Sequence, residues 1–316
     1  VSRTSAFLAP HGSFLSLPAP DDPPDGPEIA IVGIGFDVGT HPSRIGARGG
    51  PGHIRQQSRL LRPHLADRGP LDLGGIVDWG DVRLTPGRLD SLLDDATPAL
   101  AEVVASGAVP VVLGGDGTAT FPVLRALAAA HGPLAVVHFD AHTDAYPDAP
   151  PGADAGAEPL TTATTFTRAV DEGLVDPARS IHLGVRGTTF QTEVCAHARR
   201  LGYAVRTTDE LVALAPAELT DLLVTHTAGR PVHLSWDMDV FDPAAAPGVA
   251  TPEWGGLSAR EGLAFLRALE PLDIVGADVA TVSPPHDLGG TTGLLAARVV
   301  LEIVHTLRAG RGARRA

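Results

Sequence analysis

Two short acidic clusters carry the chemistry of this chain. One is Asp140-Ala141-His142-Thr143-Asp144; the other is Asp237-Met238-Asp239, with Asp242 just behind it. Each follows an apolar run, Leu134 to Phe139 before the first and Val232 to Trp236 before the second. Those runs read as strands. Side chains along a strand alternate with period two, so Asp140 and His142 face one way, as do Asp237 and Asp239. Carboxylates crowded at two strand ends repel one another unless a cation lies between them. The pattern therefore predicts a divalent metal site.

The surrounding elements must bring the two clusters together. Apolar runs at Ile29 to Ile34, Val109 to Leu113, Ser180 to Val185 and Ile274 to Val279 read as further strands, and Gly75 to Val77 as a short one. Helical stretches alternate with them, among them Ser91 to Ser106, Phe121 to Ala130, Ala259 to Leu269 and Thr292 to Leu307. Apolar strands alternating with helices mean an α/β fold whose mainly parallel sheet is covered on both faces. Sites in such sheets form outside the carboxyl ends of the strands. Both acidic clusters, the Gly114-Gly115-Asp116-Gly117 turn and Ser283-Pro284-Pro285 all fall there. Residues 1–27, rich in Pro, Ser and Asp, read as an extended leader, and residues 28–316 as a single domain.

Composition narrows the partners. A hydrophobic fraction of 44% over 316 residues is enough for a sizeable core. A formal charge of -13 argues against nucleic acid and anionic membrane surfaces, which select clustered cations. The basic run Arg308 to Arg315 reads as a solvated end. Cys195 is the only cysteine, so an intrachain disulfide is impossible and a reducing compartment fits. No secretory leader or membrane-spanning run is evident, which makes a cytoplasmic protein the expectation.

The motifs resemble those of the ureohydrolase (arginase and agmatinase) superfamily, agmatinase-like members above all. The matching segments are Ala30 to Asp37, Gly46-Ala47-Arg48, Leu113 to Asp116, Phe139 to Asp144, Ser235 to Asp239 with Asp242-Pro243, Gly255 to Ser258 and Ser283-Pro284. The resemblance implies a three-layer α/β/α arginase-like fold. It also implies a binuclear manganese centre that activates water, and a homo-oligomer, trimeric or hexameric. Carried over by position, Asp140 and Asp237 would bridge two metals, His142 and Asp239 would complete one, and Asp144 would serve the other. Oxygen-rich ligation with one imidazole suits Mn²⁺, with zinc, nickel and iron as alternatives.

Three positions depart from the family pattern. A His expected as ligand of the second metal is Gly117, so one or two ions are expected, the second weakened. The His that would move protons to the leaving group is Thr162, and a hydroxyl does not titrate near neutral pH. The Glu that would pair with a guanidinium is Thr281. Thr162 and Thr281 thus become candidate substrate contacts. His286 is the candidate surrogate proton carrier, with Asp154 and Glu158 as weaker ones. His138, His182 and His233 read as core histidines.

The leading functional reading is a metal-dependent hydrolase acting on a C–N bond of a small amidine, amide or imine, diverged from arginase chemistry. The Ala, Arg and Pro richness points to a high-GC genome and so towards secondary metabolism. Two alternatives stand beside it: a conventional agmatinase or guanidino-acid amidinohydrolase releasing urea, and a catalytically silent partner subunit.

Overall fold

Alternation along one strand decides the architecture. Ile29 and Ile31 pack into an apolar cluster with Ile54, Phe265 and Leu301, whereas Ala30, Val32 and Ile34 pack into another with Leu92, Leu100 and Phe121. A strand buried on both faces needs a helical layer on each side. The result is the three-layer α/β/α arrangement, seen in a computed structural model that describes residues 8–9, 12–19, 26–40, 42–147, 160–189 and 192–315.

The strands are β1 (Leu8–Ala9), β2 (Ile29–Ile34), β3 (Ile76–Val82), β4 (Val109–Gly114), β5 (Ala135–Phe139), β6 (Ile181–Val185), β7 (Ala204–Thr207), β8 (Val232–Asp237) and β9 (Ile274–Ala280). They form one sheet in the order β1-β3-β2-β4-β9-β8-β5-β6-β7. Among the described residues eight strands run parallel, and only strand β1 pairs antiparallel, against β3. Within the stretch read as a leader, Leu8–Ala9 thus extends the sheet edge, and Phe14 and Leu17 enter the core.

The helices are α1 (Gly50–Ser58), α2 (Leu89–Ala105), α3 (Thr120–His131), α4 (Thr165–Asp171), α5 (Val194–Leu201), α6 (Thr208–Val212), α7 (Pro216–Thr227), α8 (Ala259–Arg267) and α9 (Thr291–Arg315). Buried Glu302 ties α9 to its surroundings. Its carboxylate accepts from Arg267 of α8 at 2.9 Å, from Arg298 at 2.7 Å and from Arg68 at 2.9 Å. No described helix is long and apolar enough to cross a membrane.

The chain crosses from β4 to β5 over two positions, and β8 and β9 later fill the gap. That crossing is the topological switch point, where loops diverge and leave a crevice. The carboxyl ends of β4, β9, β8 and β5 stand side by side there. They end at Gly114, Ala280, Asp237 and Phe139.

Candidate metal centre

Burial makes the acidic residues at this crevice expensive. Asp140, Asp144, Asp237 and Asp239 are 1%, 5%, 3% and 1% exposed, so water screens none of them. Backbone amides fix the two clusters against each other. Ala141 N donates to Asp239 Oδ1 at 3.0 Å, His142 N to Asp140 Oδ1 at 2.5 Å, and Asp239 N to Asp237 Oδ1 at 2.7 Å. Arg186, which the sequence did not single out, locks the same ends. Its backbone N–H donates to Ala141 O at 2.8 Å and its guanidinium to Asp239 O at 2.7 Å.

Three ligand-type atoms converge. His142 Nδ1 lies 3.1 Å from Asp140 Oδ1 and 3.2 Å from Asp239 Oδ2. Metal–ligand bonds of about 2.0–2.2 Å at right angles put neighbouring donor atoms about 3 Å apart. The spacing therefore fits a divalent cation, and the oxygen-rich set suits a hard or borderline one. A second group, His138, Asp140 and Asp144, also brings its ligand atoms close together.

The electrostatics agree. Burial and then the Asp140 charge push the Asp144 carboxyl well above its usual range. Burial, Asp239 and Asp140 do the same to Asp237. Asp239 is raised by burial and Asp140. Asp140 goes the other way: burial opposes its charge, but His138 and His142 hold it well below the usual carboxylate range. His142 is raised, since Asp239 and Asp140 outweigh its burial. A divalent cation would relieve the repulsion that this set otherwise meets with protons.

The other candidates are placed as follows. Asp237 sits beside Asp239, and its Oδ1 also accepts from Thr281 Oγ1 at 2.5 Å. Thr281 has φ +70°, a strained value for a β-branched residue. Three bonds hold it there: the one to Asp237, its N–H to Gly115 O at 2.7 Å, and Ala250 N to its carbonyl at 3.1 Å. Asp144 has φ +46°, and its carbonyl accepts from Phe166 N at 2.8 Å. Thr162 packs against Gly117, with its Oγ1 buried and unpaired. His286 follows two prolines in a short turn; its Nε2 is buried without a partner, and among the described residues it joins neither acidic group. Asp154 and Glu158 lie outside the described residues.

The core histidine His138 also touches the acidic cluster. It is a buried strand residue, as expected. Its Nε2 lies 3.0 Å from Asp140 Oδ2 and its Nδ1 2.9 Å from His182 Nδ1. Period two on β5 already placed His138 on the face of Asp140; that was the available signal.

Comparison with known proteins places the chain. The model of the Arginase family matches residues 27–305. The chain is 40% identical over 306 residues to the proclavaminate amidinohydrolase of Streptomyces clavuligerus, covering 96% of this chain and 95% of that protein. It is 39% identical over 295 residues to the guanidinopropionase of Pseudomonas aeruginosa, covering 92% and 90%. The solved structure of proclavaminate amidinohydrolase from Streptomyces clavuligerus superposes with a TM-score of 0.87 at 38% identity, covering 97% of this chain and all of that one (100%). With the parallel sheet, the buried Asp and His clusters and near full-length matches in agreement, this chain belongs to the arginase (ureohydrolase) family.

Proposed function

We infer that the chain is a metal-dependent hydrolase that cleaves a C–N bond in an amidine, amide or imine group of a small molecule. The approach of His142 Nδ1 to Asp140 Oδ1 at 3.1 Å and to Asp239 Oδ2 at 3.2 Å carries this reading. These three residues would hold the ion, with Mn²⁺ the first choice. A divalent ion in such a site supplies Lewis acidity and lowers the pKa of water. The chain's own residues supply the rest. Arg186 and the backbone amides keep the two strand ends in register, and burial keeps bulk water from screening the charges. In the net reaction the oxygen of water bonds to the carbon of the amidine, amide or imine group, the C–N bond breaks, and the amine leaves with a proton.

Relatives named for amidino and guanidino substrates support the class. Thr281 argues for a shifted substrate. Its hydroxyl is committed to Asp237, so it offers no charge to a guanidinium, and a planar cation loses the charge-assisted pair a carboxylate would give. An uncharged amide or imine fits better there than a planar guanidino or amidino cation. His286 has no part in this reading.

The test is a panel of guanidino acids, agmatine, cationic amidines and uncharged amide analogues, assayed for urea, ammonia and amine with the protein fully loaded with Mn²⁺. The expected result is metal-dependent C–N cleavage that favours the uncharged analogues. Urea from the guanidino acids at higher kcat/KM would return the chain to conventional amidinohydrolase chemistry. Absence of any product across the panel would sink the enzymatic reading.

A further inference from the structure

The departures from the ureohydrolase pattern at Gly117, Thr162 and Thr281 fall near one place, and they fit together in space. Gly117 contributes no donor atom. A Cβ built on it would meet Thr162 Cγ2 at 2.7 Å and Asp144 Oδ2 at 2.9 Å, both closer than real Cβ contacts. The Thr162 methyl thus fills the room that a side chain at 117 would need. The turn carrying Thr162 is anchored there by Thr162 N donating to Gly39 O at 3.1 Å and by Thr165 Oγ1 to Gly117 O at 3.4 Å.

Two of the carboxylates facing this place already have close protein partners. Asp237 Oδ1 accepts from Thr281 Oγ1 at 2.5 Å and from Asp239 N at 2.7 Å. Asp140 Oδ2 faces His138 Nε2 at 3.0 Å, while Oδ1 faces His142. Asp237 Oδ1 and Asp140 Oδ2 thus already have protein partners where a second cation would draw on them. Thr281 holds a strained φ of +70° as one of these partners, a cost that its three hydrogen bonds offset.

We propose that this chain holds one divalent ion, between Asp140, His142 and Asp239, and that Gly117, Thr162, Thr281 and His138 close the second place with packing and hydrogen bonds. The proposal rests on the metal reading above. It makes Thr162 and Thr281 parts of one substitution, in which protons and a methyl group replace a cation and its imidazole.

The wild-type protein, saturated with Mn²⁺ and dialysed, tests it by elemental analysis and electron paramagnetic resonance. One ion per chain with the hyperfine pattern of an isolated Mn²⁺ is expected. Two ions per chain with a spin-coupled spectrum would overturn the proposal and leave the metal reading standing. No bound ion would overturn both. Gly117→His alone should stay at one ion, because Thr162 occupies its path; uptake of a second would contradict that packing. The triple change Gly117→His, Thr162→Ala and Thr281→Ala should rise to two. A triple variant that is folded by circular dichroism yet stays at one ion would count against the proposal. If it does not fold, the wild-type count decides.

Discussion

Replacing Asp140 with Asn is expected to leave a folded protein without its divalent ion and to cut metal-dependent turnover by roughly 10³-fold, the several kcal/mol that a bound Lewis acid contributes. Asp140 is chosen because both clusters of ligand atoms share it. Its two oxygens face different histidines, His142 at 3.1 Å and His138 at 3.0 Å. Asn has nearly the same shape but no charge, and one end of its amide would turn a donor towards a donor. The fold should survive, because losing this charge relieves its repulsion on Asp144, Asp237 and Asp239. Elemental analysis and circular dichroism together read the outcome. A variant that keeps its full metal content would show that the ion lies elsewhere.

The metal-free protein should lose stability as pH rises from about 4 through 7. The sign follows from proton counting. A carboxyl whose folded pKa exceeds its unfolded value binds more protons in the native state, so stability falls with pH between the two values. Asp116 is raised by burial from 3.8 to about 7, against the pull of its bonds from Thr118 and Gly39. At about 1.4 kcal/mol per unit, that group alone accounts for about 4 kcal/mol. Asp144, Asp237 and Asp239 are shifted the same way. His182 and His305, lowered by burial, oppose them below pH 6.5, two groups against four. Stripped protein should therefore melt several degrees higher at pH 5 than at pH 7.5. Added Mn²⁺ should narrow or reverse the gap, since its ligands bind deprotonated. Calorimetry on stripped and loaded protein checks both halves; a stripped protein that gains stability with pH would refute the charge crowding.

Much of this was legible in the sequence, for physical reasons that differ by element. The central strands are long apolar runs, and β2, β4, β5, β8 and β9 fall within a residue or so of their expected bounds. The edge strand β7 was not foreseen, because Ala204–Thr207 is short and half of it, Arg206 and Thr207, faces solvent. Strand β3 was read as ending near Val77 but reaches Val82 through a polar stretch. The acidic clusters were legible since strand ends and period two are local properties. His138 was visible as a face but not as a contact, since its partner His182 comes from the neighbouring strand. The filling of the Gly117 space by Thr162 was beyond local reading altogether. It depends on two turns distant in sequence docking on each other, which brings Thr162 Cγ2 to 2.7 Å from a Cβ built on Gly117.

The measurement that bears most directly on the centre is an anomalous-scattering map from crystals soaked in Mn²⁺. The account predicts a peak within bonding distance of Asp140 Oδ1, His142 Nδ1 and Asp239 Oδ2 together. A map with no peak between those three atoms at saturating Mn²⁺, or with its strongest peak at other residues, would contradict it.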